Sequence, residues 1–177
     1  MEFEFVRTGG VGARSYSVEG RVTWRYAVDA LRLVVAKVTF LLGLAGSGKS
    51  VLAEKLAKET GATVFEGTEG DATTRQRMLR HLANGRSRVV EEIAYCLPSR
   101  REAIVSELCT VVPDIEIEWV SFENDIESAN WNVRHRRNKG DVLGHLRINQ
   151  CYHGLYIYPG GAKPIPIVRI DESKTTA

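Results

Sequence analysis

A glycine-rich stretch between an apolar run and an amphipathic segment constrains the fold of this chain more than any other feature. Residues 38–42, Val-Thr-Phe-Leu-Leu, have the length and the β-branched and aromatic content of a buried strand. Residues 43–50, Gly-Leu-Ala-Gly-Ser-Gly-Lys-Ser, fit the pattern G-x-x-x-x-G-K-S/T. Residues 51–59 then have the apolar spacing of a helix. The motif therefore lies between a strand and a helix N-terminus, which is the context that it requires.

The residue types of this loop suit the binding of phosphate groups. Its glycines permit tight turns and a close approach of the backbone to an anion. The loop N–H groups and the positive end of the helix dipole point toward phosphate oxygens. Lys49 adds a charge for the β- and γ-phosphates, and Ser50 supplies a hydroxyl ligand for Mg²⁺. The predicted nucleotide-binding residues are Gly43, Ala45, Gly46, Ser47, Gly48, Lys49, Ser50 and Val51.

The motif leaves the class of nucleotide-binding protein open. A chance match in a glycine-rich turn is the alternative, but the agreement of strand, motif and helix argues against it. The motif alone does not separate a kinase from an ATPase, a GTPase or a motor protein. The sequence contains no motif that reads a base, so it does not distinguish ATP from GTP.

The size and composition of the chain fit one α/β domain. The chain has 177 residues, of which 44% are hydrophobic and 26% are charged, and its formal net charge is +2. No apolar run reaches the roughly 18–20 residues of a membrane span, and the acidic N-terminus has no signal-peptide core. The three cysteines have neither metal-site nor paired spacing, so reduced thiols are expected. These features favour a cytoplasmic location.

The order of the predicted elements indicates how the chain is organised. Residues 1–37 are an N-terminal extension with short strands and a helix near 23–35, and residues 38–177 are one domain. After the first strand, further strands are predicted at 62–66, 88–93, 114–121 and 164–170, and further helices at 71–84, 99–109, 123–137 and 142–155. The last of these helices should bury Val142, Leu146, Ile148 and Cys151 or Tyr152. The order predicts a doubly wound, mainly parallel, five-stranded sheet with its proline-containing strand at an edge.

Acidic residues follow the second and third predicted strands, at the sheet edge where ligands bind in such folds. Glu66 and Asp71 are candidates for the base that accepts a proton from a substrate hydroxyl, with Glu69 behind them. Asp71 fits a helix N-cap equally well. Glu91 and Glu92 are candidates for holding Mg²⁺. Because strand residues alternate between faces, at most one of these two should point at the site.

Arginines near the same edge are candidates for binding phosphate groups of a substrate. Arg75 lies one turn into the second helix, and Arg100 and Arg101 lie in the first turn of the third, where a cation opposes the helix dipole. An exposed, solvated helix face is the alternative for each of them. Residues 130–140 are the most basic stretch. They fit a solvated helix end, or a lid near 130–147 that closes an arginine over a triphosphate.

From Val38 to Ile170 the layout resembles the P-loop kinases, and within them the polynucleotide-kinase-like small kinases. The resemblance depends on the loop 43–50, the acidic loop 66–71, the segment 89–101, the basic run 132–137 and the Tyr and Pro turn at 156–166. It implies a three-layer fold with a helical lid, and transfer of the ATP γ-phosphate to a hydroxyl with Mg²⁺. By position, it implies catalytic roles for Lys49, for an acid of the loop 66–71, and for Arg134, Arg136 or Arg137.

The chain departs from this family pattern at two points. The usual Asp-x-x-Arg after the second strand is replaced by Asp71 and Arg75, four residues apart, and the third strand ends in Glu-Glu rather than the common Asp. Some small members of the group, from bacteriophages, phosphorylate hydroxymethylated pyrimidines in DNA. The arginine-rich surface fits a nucleic-acid or nucleotide acceptor. A small-molecule kinase and a regulatory ATPase without an acceptor are the alternatives.

Overall fold

The computed structural model describes residues 36–137 and 140–171. The strands are β1 (Lys37–Leu42), β2 (Thr63–Glu66), β3 (Arg88–Glu91) and β4 (Glu116–Ser121). The helices are α1 (Lys49–Thr60), α2 (Ala72–Ala83), α3 (Pro98–Val111), α4 (Ile126–His135) and α5 (Val142–His153), with a short 3-10 helix at Ala94–Cys96. The predicted elements within residues 1–35 lie outside the described part of the chain.

The four strands form one parallel sheet in the order β2-β3-β1-β4. In the register of the sheet, Glu91 pairs with Leu41 on one side and with Glu66 on the other. The loop after β1 and the acidic residues that end β2 and β3 therefore meet at one edge. The predicted parallel arrangement is confirmed.

The prediction of a fifth strand is wrong, since the described residues form four. Segment 164–170 makes a single parallel bridge, between Ile165 and Phe122. The Ile165 N–H donates to the Ser121 carbonyl at 2.8 Å, and the Ile165 carbonyl accepts from the Glu123 N–H at 2.9 Å. The ladder stops there because β4 ends at Ser121, while a turn at 159–162 directs the preceding residues away.

Helices cover both faces of the sheet, which leaves the ends of the strands as the place for a site. On one face, Phe40 stacks on Trp119 with ring centroids 4.5 Å apart and meets the edge of Tyr95 at 4.9 Å. Helices α2 and α3 pack on this face through buried side chains. On the other face, Leu41 packs with Ala53 of α1. Full burial of each large apolar side chain contributes about 1.5–3 kcal/mol, so the strand ends are firmly held.

Short-range signals set the helix ends, and for Asp71 this confirms the predicted cap. Asp71 caps α2 by accepting from the Thr73 N–H at 2.9 Å and the Thr74 hydroxyl at 2.6 Å. Gly61 ends α1 in the left-handed conformation, with φ +71°. Within the described residues, none of the helices has the length and apolar character to cross a bilayer.

Candidate functional site

The loop between β1 and α1 folds tightly around the Lys49 side chain. Gly46 and Gly48 adopt positive φ angles of +85° and +103°, a conformation that favours glycine. The Lys49 ammonium donates to the carbonyl oxygens of Gly43 at 2.8 Å and Leu44 at 2.9 Å. Burial lowers the Lys49 pKa from its ordinary value, while nearby acidic groups, including Glu91, oppose that change. The loop thus presents a half-buried cation beside a helix N-terminus.

A cavity of about 730 Å³ opens over this loop. Its polar wall includes Lys49, Ser50 and the acids at the ends of β2 and β3, Glu66 and Glu91. Its apolar wall comes from the last described segment and from α5. The described lining residues in that apolar wall are Ile148, Ile165, Pro166, Val168 and Ile170. A charged floor with an apolar wall suits a ligand that has both a phosphate chain and a flat, weakly polar ring.

Ser50 and Glu91 form the contact that joins the loop to β3. The Ser50 hydroxyl donates to Oε2 of Glu91 at 2.7 Å. Burial raises the pKa of Glu91 to about 7, and the neighbouring Glu66 adds to the rise while the Ser50 hydrogen bond opposes it. A hydroxyl and a carboxylate are oxygen donors of the kind that Mg²⁺ prefers. The described residues contain no group of three His, Cys, Asp or Glu side chains that could hold a metal ion. Mg²⁺ usually keeps several waters and takes phosphate oxygens beside one or two protein ligands, so the Ser50–Glu91 pair fits it.

Glu92, the other predicted metal ligand, has a different environment. Its Oε2 accepts from the Glu69 N–H at 3.2 Å, and its Oε1 accepts from the Ala94 N–H at 3.3 Å. It is buried and also borders the cavity. The two carboxylate oxygens of Glu92 therefore hold the acidic loop and the 3-10 helix in place. Glu91 instead contacts Ser50, the predicted hydroxyl ligand of Mg²⁺.

The two candidate bases occupy different positions. Glu66, at the end of β2, lines the cavity. Asp71 is exposed and is not among the described residues that line the cavity. Its carboxylate caps α2. The Thr74 hydroxyl and the Thr73 N–H hold the pKa of Asp71 below its usual range. The geometry therefore favours Glu66 as the carboxylate that meets a ligand.

The predicted phosphate-binding arginines are engaged with the protein itself. Arg75 pairs with Glu69 at 2.7 Å and with Glu107, and Arg100 lies 3.5 Å from Glu69. Arg101 donates to the carbonyl oxygens of Tyr95 at 2.7 Å and Ile157 at 2.9 Å. The described lining of the cavity includes none of these three arginines. Glu69, only 12% exposed, is the residue that organises the first two.

The basic stretch contributes one arginine to the described cavity lining, and that residue is Arg136. It follows the end of α4, and its Nη2 lies 3.2 Å from Nδ1 of His145 on α5. Arg134, in the last turn of α4, and Arg137 are exposed and lie outside the described cavity lining. Residues 138–139 of the predicted lid lie outside the described part of the chain.

Two asparagines that sequence reasoning did not single out, Asn132 and Asn149, contact the loop backbone directly. Asn149 is the fully buried residue of α5, while Ile148 is 41% exposed and Cys151 is exposed. The apolar face predicted for this helix is therefore partly wrong, because the helix packs against a polar loop backbone. A lone Asn within an amphipathic pattern gave no signal of this contact.

Comparison with known proteins shows what fold the chain shares. No family model and no curated protein matches it. A gluconokinase from Sinorhizobium meliloti 1021 aligns over 81% of this chain and 88% of its own, with a TM-score of 0.52 and 19% identity.

Two other solved structures align less well. An uncharacterized protein from Eubacterium ventriosum covers 79% of this chain and 93% of its own, with 15% identity and a TM-score of 0.42. The YorR protein from Bacillus subtilis, in complex with phosphorylated GDP, covers 73% of this chain and 84% of its own, with 13% identity and a TM-score of 0.36. The gluconokinase alignment, together with the loop and sheet described above, shows that this chain shares its fold with that gluconokinase.

Proposed function

We propose that this chain is an ATP-dependent phosphotransferase that moves the γ-phosphate to a hydroxyl group. The observation that carries the proposal is the convergence of Lys49, the Ser50–Glu91 pair and Glu66 on one cavity. A protein that only bound nucleotide would not need a second carboxylate at this edge. A kinase needs one to accept the proton of its acceptor.

The residues divide the reaction among them. The loop N–H groups and Lys49 bind the phosphates, and Ser50 and Glu91 would hold Mg²⁺, which when bound neutralises charge on the β- and γ-oxygens. Glu66 takes the proton from the acceptor hydroxyl while the oxygen of that hydroxyl bonds to the γ-phosphorus. The bond to the β-phosphate oxygen breaks and ADP leaves. Arg136 stabilises the charge that develops on the transferred group.

For the acceptor we propose a nucleic-acid or nucleotide hydroxyl, including a hydroxymethylated pyrimidine in DNA. Exposed Arg77 and Arg80 on α2, the helix that follows the acidic loop, support this class because arginines contact backbone phosphates. A small hydroxyl compound is the second candidate. The ion pairs of Arg75 and Arg100 with Glu69 favour it, because they leave less positive charge for a polyanion.

The test is transfer of labelled γ-phosphate from ATP and Mg²⁺ to a panel of acceptors. The panel holds DNA with 5′-hydroxyl ends, DNA with hydroxymethyl pyrimidines, RNA, free nucleosides, and small alcohols including sugar acids. Label on an acceptor is expected, and its identity separates the two candidates. Label found only as free phosphate would replace the proposal with a regulatory ATPase.

Lys49→Ala provides the site control for this assay. It should lower transfer by roughly a hundredfold or more, because it removes a charge that the transition state needs. Lys58→Ala, an exposed lysine of the same helix, should leave transfer unchanged. Equal activity of wild type and Lys49→Ala would show that transfer is not catalysed at this site.

A further inference from the structure

One side chain of α5 holds the backbone of the phosphate-binding loop. The Asn149 amide oxygen accepts from the Ala45 N–H at 2.7 Å, and the amide nitrogen donates to the Ala45 carbonyl at 2.9 Å. The same nitrogen donates to Oδ1 of Asn130 at 2.9 Å. Only an amide of this length donates and accepts in this way, so the contact specifies asparagine.

A second asparagine, on α4, holds the next residue of the loop. The Asn132 amide nitrogen donates to the carbonyl oxygens of Gly46 and Val168, each at 2.9 Å. Its amide oxygen accepts from the Ile170 N–H at 2.7 Å. Asn132 therefore joins the loop to the segment that forms the apolar wall of the cavity.

Packing leaves the loop little freedom at these points. A Cβ added at Gly46 would overlap the carbonyl oxygen of Ala129 on α4 and press on Val133. Asn149 is 0% exposed and Asn132 is 5% exposed. In such buried surroundings an unpaired N–H or carbonyl is costly, so loss of either amide would push the loop toward another conformation.

The same face of α5 also contacts Arg136, which follows the end of α4. His145, Ile148 and Asn149 have the i, i+3, i+4 spacing that places side chains on one helix face. His145 contacts Arg136, and Ile148 lines the cavity. One helix thus contacts the loop, the cavity and the arginine at the end of α4.

We propose that Asn149, supported by Asn132, is a positioning residue that holds the phosphate loop in its anion-binding shape and couples the loop to α4 and α5. The coupling to Arg136 rests on the proposed function, since it concerns the arginine of phosphoryl transfer. The hold on the loop does not, because it acts on the binding of a nucleotide whatever reaction follows.

The test compares ADP binding in variants of the full chain. Asn149→Asp keeps the shape and the acceptor for the Ala45 N–H, but it places an oxygen against two other oxygens, those of Ala45 and Asn130. Asn149→Leu keeps the volume and removes both hydrogen bonds. Gln150→Ala changes an exposed amide at the next position and is the matched control. The Kd of ADP with Mg²⁺ is measured by calorimetry, and Tm is measured without ligand.

Both Asn149 variants should weaken ADP binding by about tenfold or more, since each loses a buried hydrogen bond to the loop. Gln150→Ala should bind within twofold of wild type. In the transfer assay, Asn149→Asp should raise KM for ATP by a larger factor than it lowers kcat. Variants that lower Tm yet bind ADP with the wild-type Kd, at a temperature where they are folded, would overturn the proposal by showing a purely structural role.

Asn130→Ala keeps the proposal testable if the Asn149 variants do not fold. It removes only the third partner of the Asn149 amide from a half-buried position, so Tm should stay close to wild type. ADP binding should weaken by about threefold, and a wild-type Kd would again overturn the proposal. If the wild-type chain binds ADP but transfers phosphate to no acceptor, the proposed function fails while the effect of Asn149 on ADP binding can still be measured.

Discussion

Glu66 and Asp71 lie five positions apart in the sequence but meet different surroundings, and this predicts different chemical roles. Glu66 faces the cavity, while Asp71 caps α2. Glu66→Gln should therefore lower kcat by about 10²–10⁴, the usual contribution of a general base. Asp71→Asn should leave kcat nearly unchanged, because asparagine caps helices as well as aspartate. Steady-state transfer kinetics, with Tm as the fold control, measure both effects.

The reverse result would reassign the base. If Asp71→Asn lost activity at an unchanged Tm while Glu66→Gln kept it, the cap would be the catalytic group and the acidic loop would have to rearrange during the reaction.

Glu91 gives a pH dependence whose sign follows from its raised pKa. Burial raises the pKa of Glu91 from 4.5 to about 7, so the folded chain binds this proton more tightly than the unfolded chain. The resulting stability is fully present below pH 4.5 and is lost as the pH rises through about 7. Glu91→Gln should avoid that loss, and at about pH 8 it should exceed wild type in unfolding free energy by about 1–2 kcal/mol, because solvent in the open cavity screens part of the effect.

Urea unfolding in metal-free buffer between pH 4.5 and about 8 measures this difference. The two curves should converge at the acidic end, because the wild-type carboxyl is then also neutral. A stability difference that stays constant with pH would contradict the raised pKa and would instead indicate a change in packing.

At the scale of elements, the end of α4 decides which arginine of the basic stretch reaches the cavity. The helix ends at His135, and Arg136 adopts an extended backbone that directs it toward the cavity and His145. Arg136→Ala should lower kcat by roughly a hundredfold or more, if charge neutralisation during transfer depends on it. Arg134→Ala, from the exposed last turn of α4, should have a much smaller effect.

Single-turnover transfer with the two variants separates this role from product release. Equal losses in both variants would mean that the arginines at the end of α4 act through their summed charge. The kcat of the wild type would then depend steeply on salt concentration.

Elements fixed by neighbouring residues were the ones that sequence reasoning predicted well. Asp71 starts α2 as predicted, because the groups that it caps lie within three residues. The segment 164–170 was predicted less well. Its alternating pattern suits a strand, but the length of its ladder depends on where β4 ends, and that partner is more than 40 residues away.

At the scale of the whole molecule, the loop depends on a helix that is distant in sequence, and glycine substitutions test this. Gly46 has a positive φ and lies against Ala129, whereas Gly61 has a positive φ with nothing within 4 Å of its added Cβ. Both alanine substitutions incur backbone strain of about 1 kcal/mol, but only Gly46→Ala also forces the loop and α4 apart. Gly46→Ala should therefore lose ADP binding, and Gly61→Ala should keep it with a modestly lower Tm.

Calorimetric titration with ADP and thermal unfolding of the two variants provide the comparison. Normal ADP binding by Gly46→Ala would show that the loop can move off α4 without losing its shape, and the close packing would then have no role in binding.

The sequence by itself determined the glycine-rich loop, the strands and helices around it, and the parallel sheet, because these follow from local spacing and from the order of elements. Only the tertiary structure decided which acid faces the cavity, which arginine reaches it, and which asparagines hold the loop. Glu66, Arg136 and Asn149 look like many other polar residues in the sequence. Their positions depend on the contacts of strands and helices up to 104 residues apart, as between Ala45 and Asn149, and no local pattern encodes such a contact.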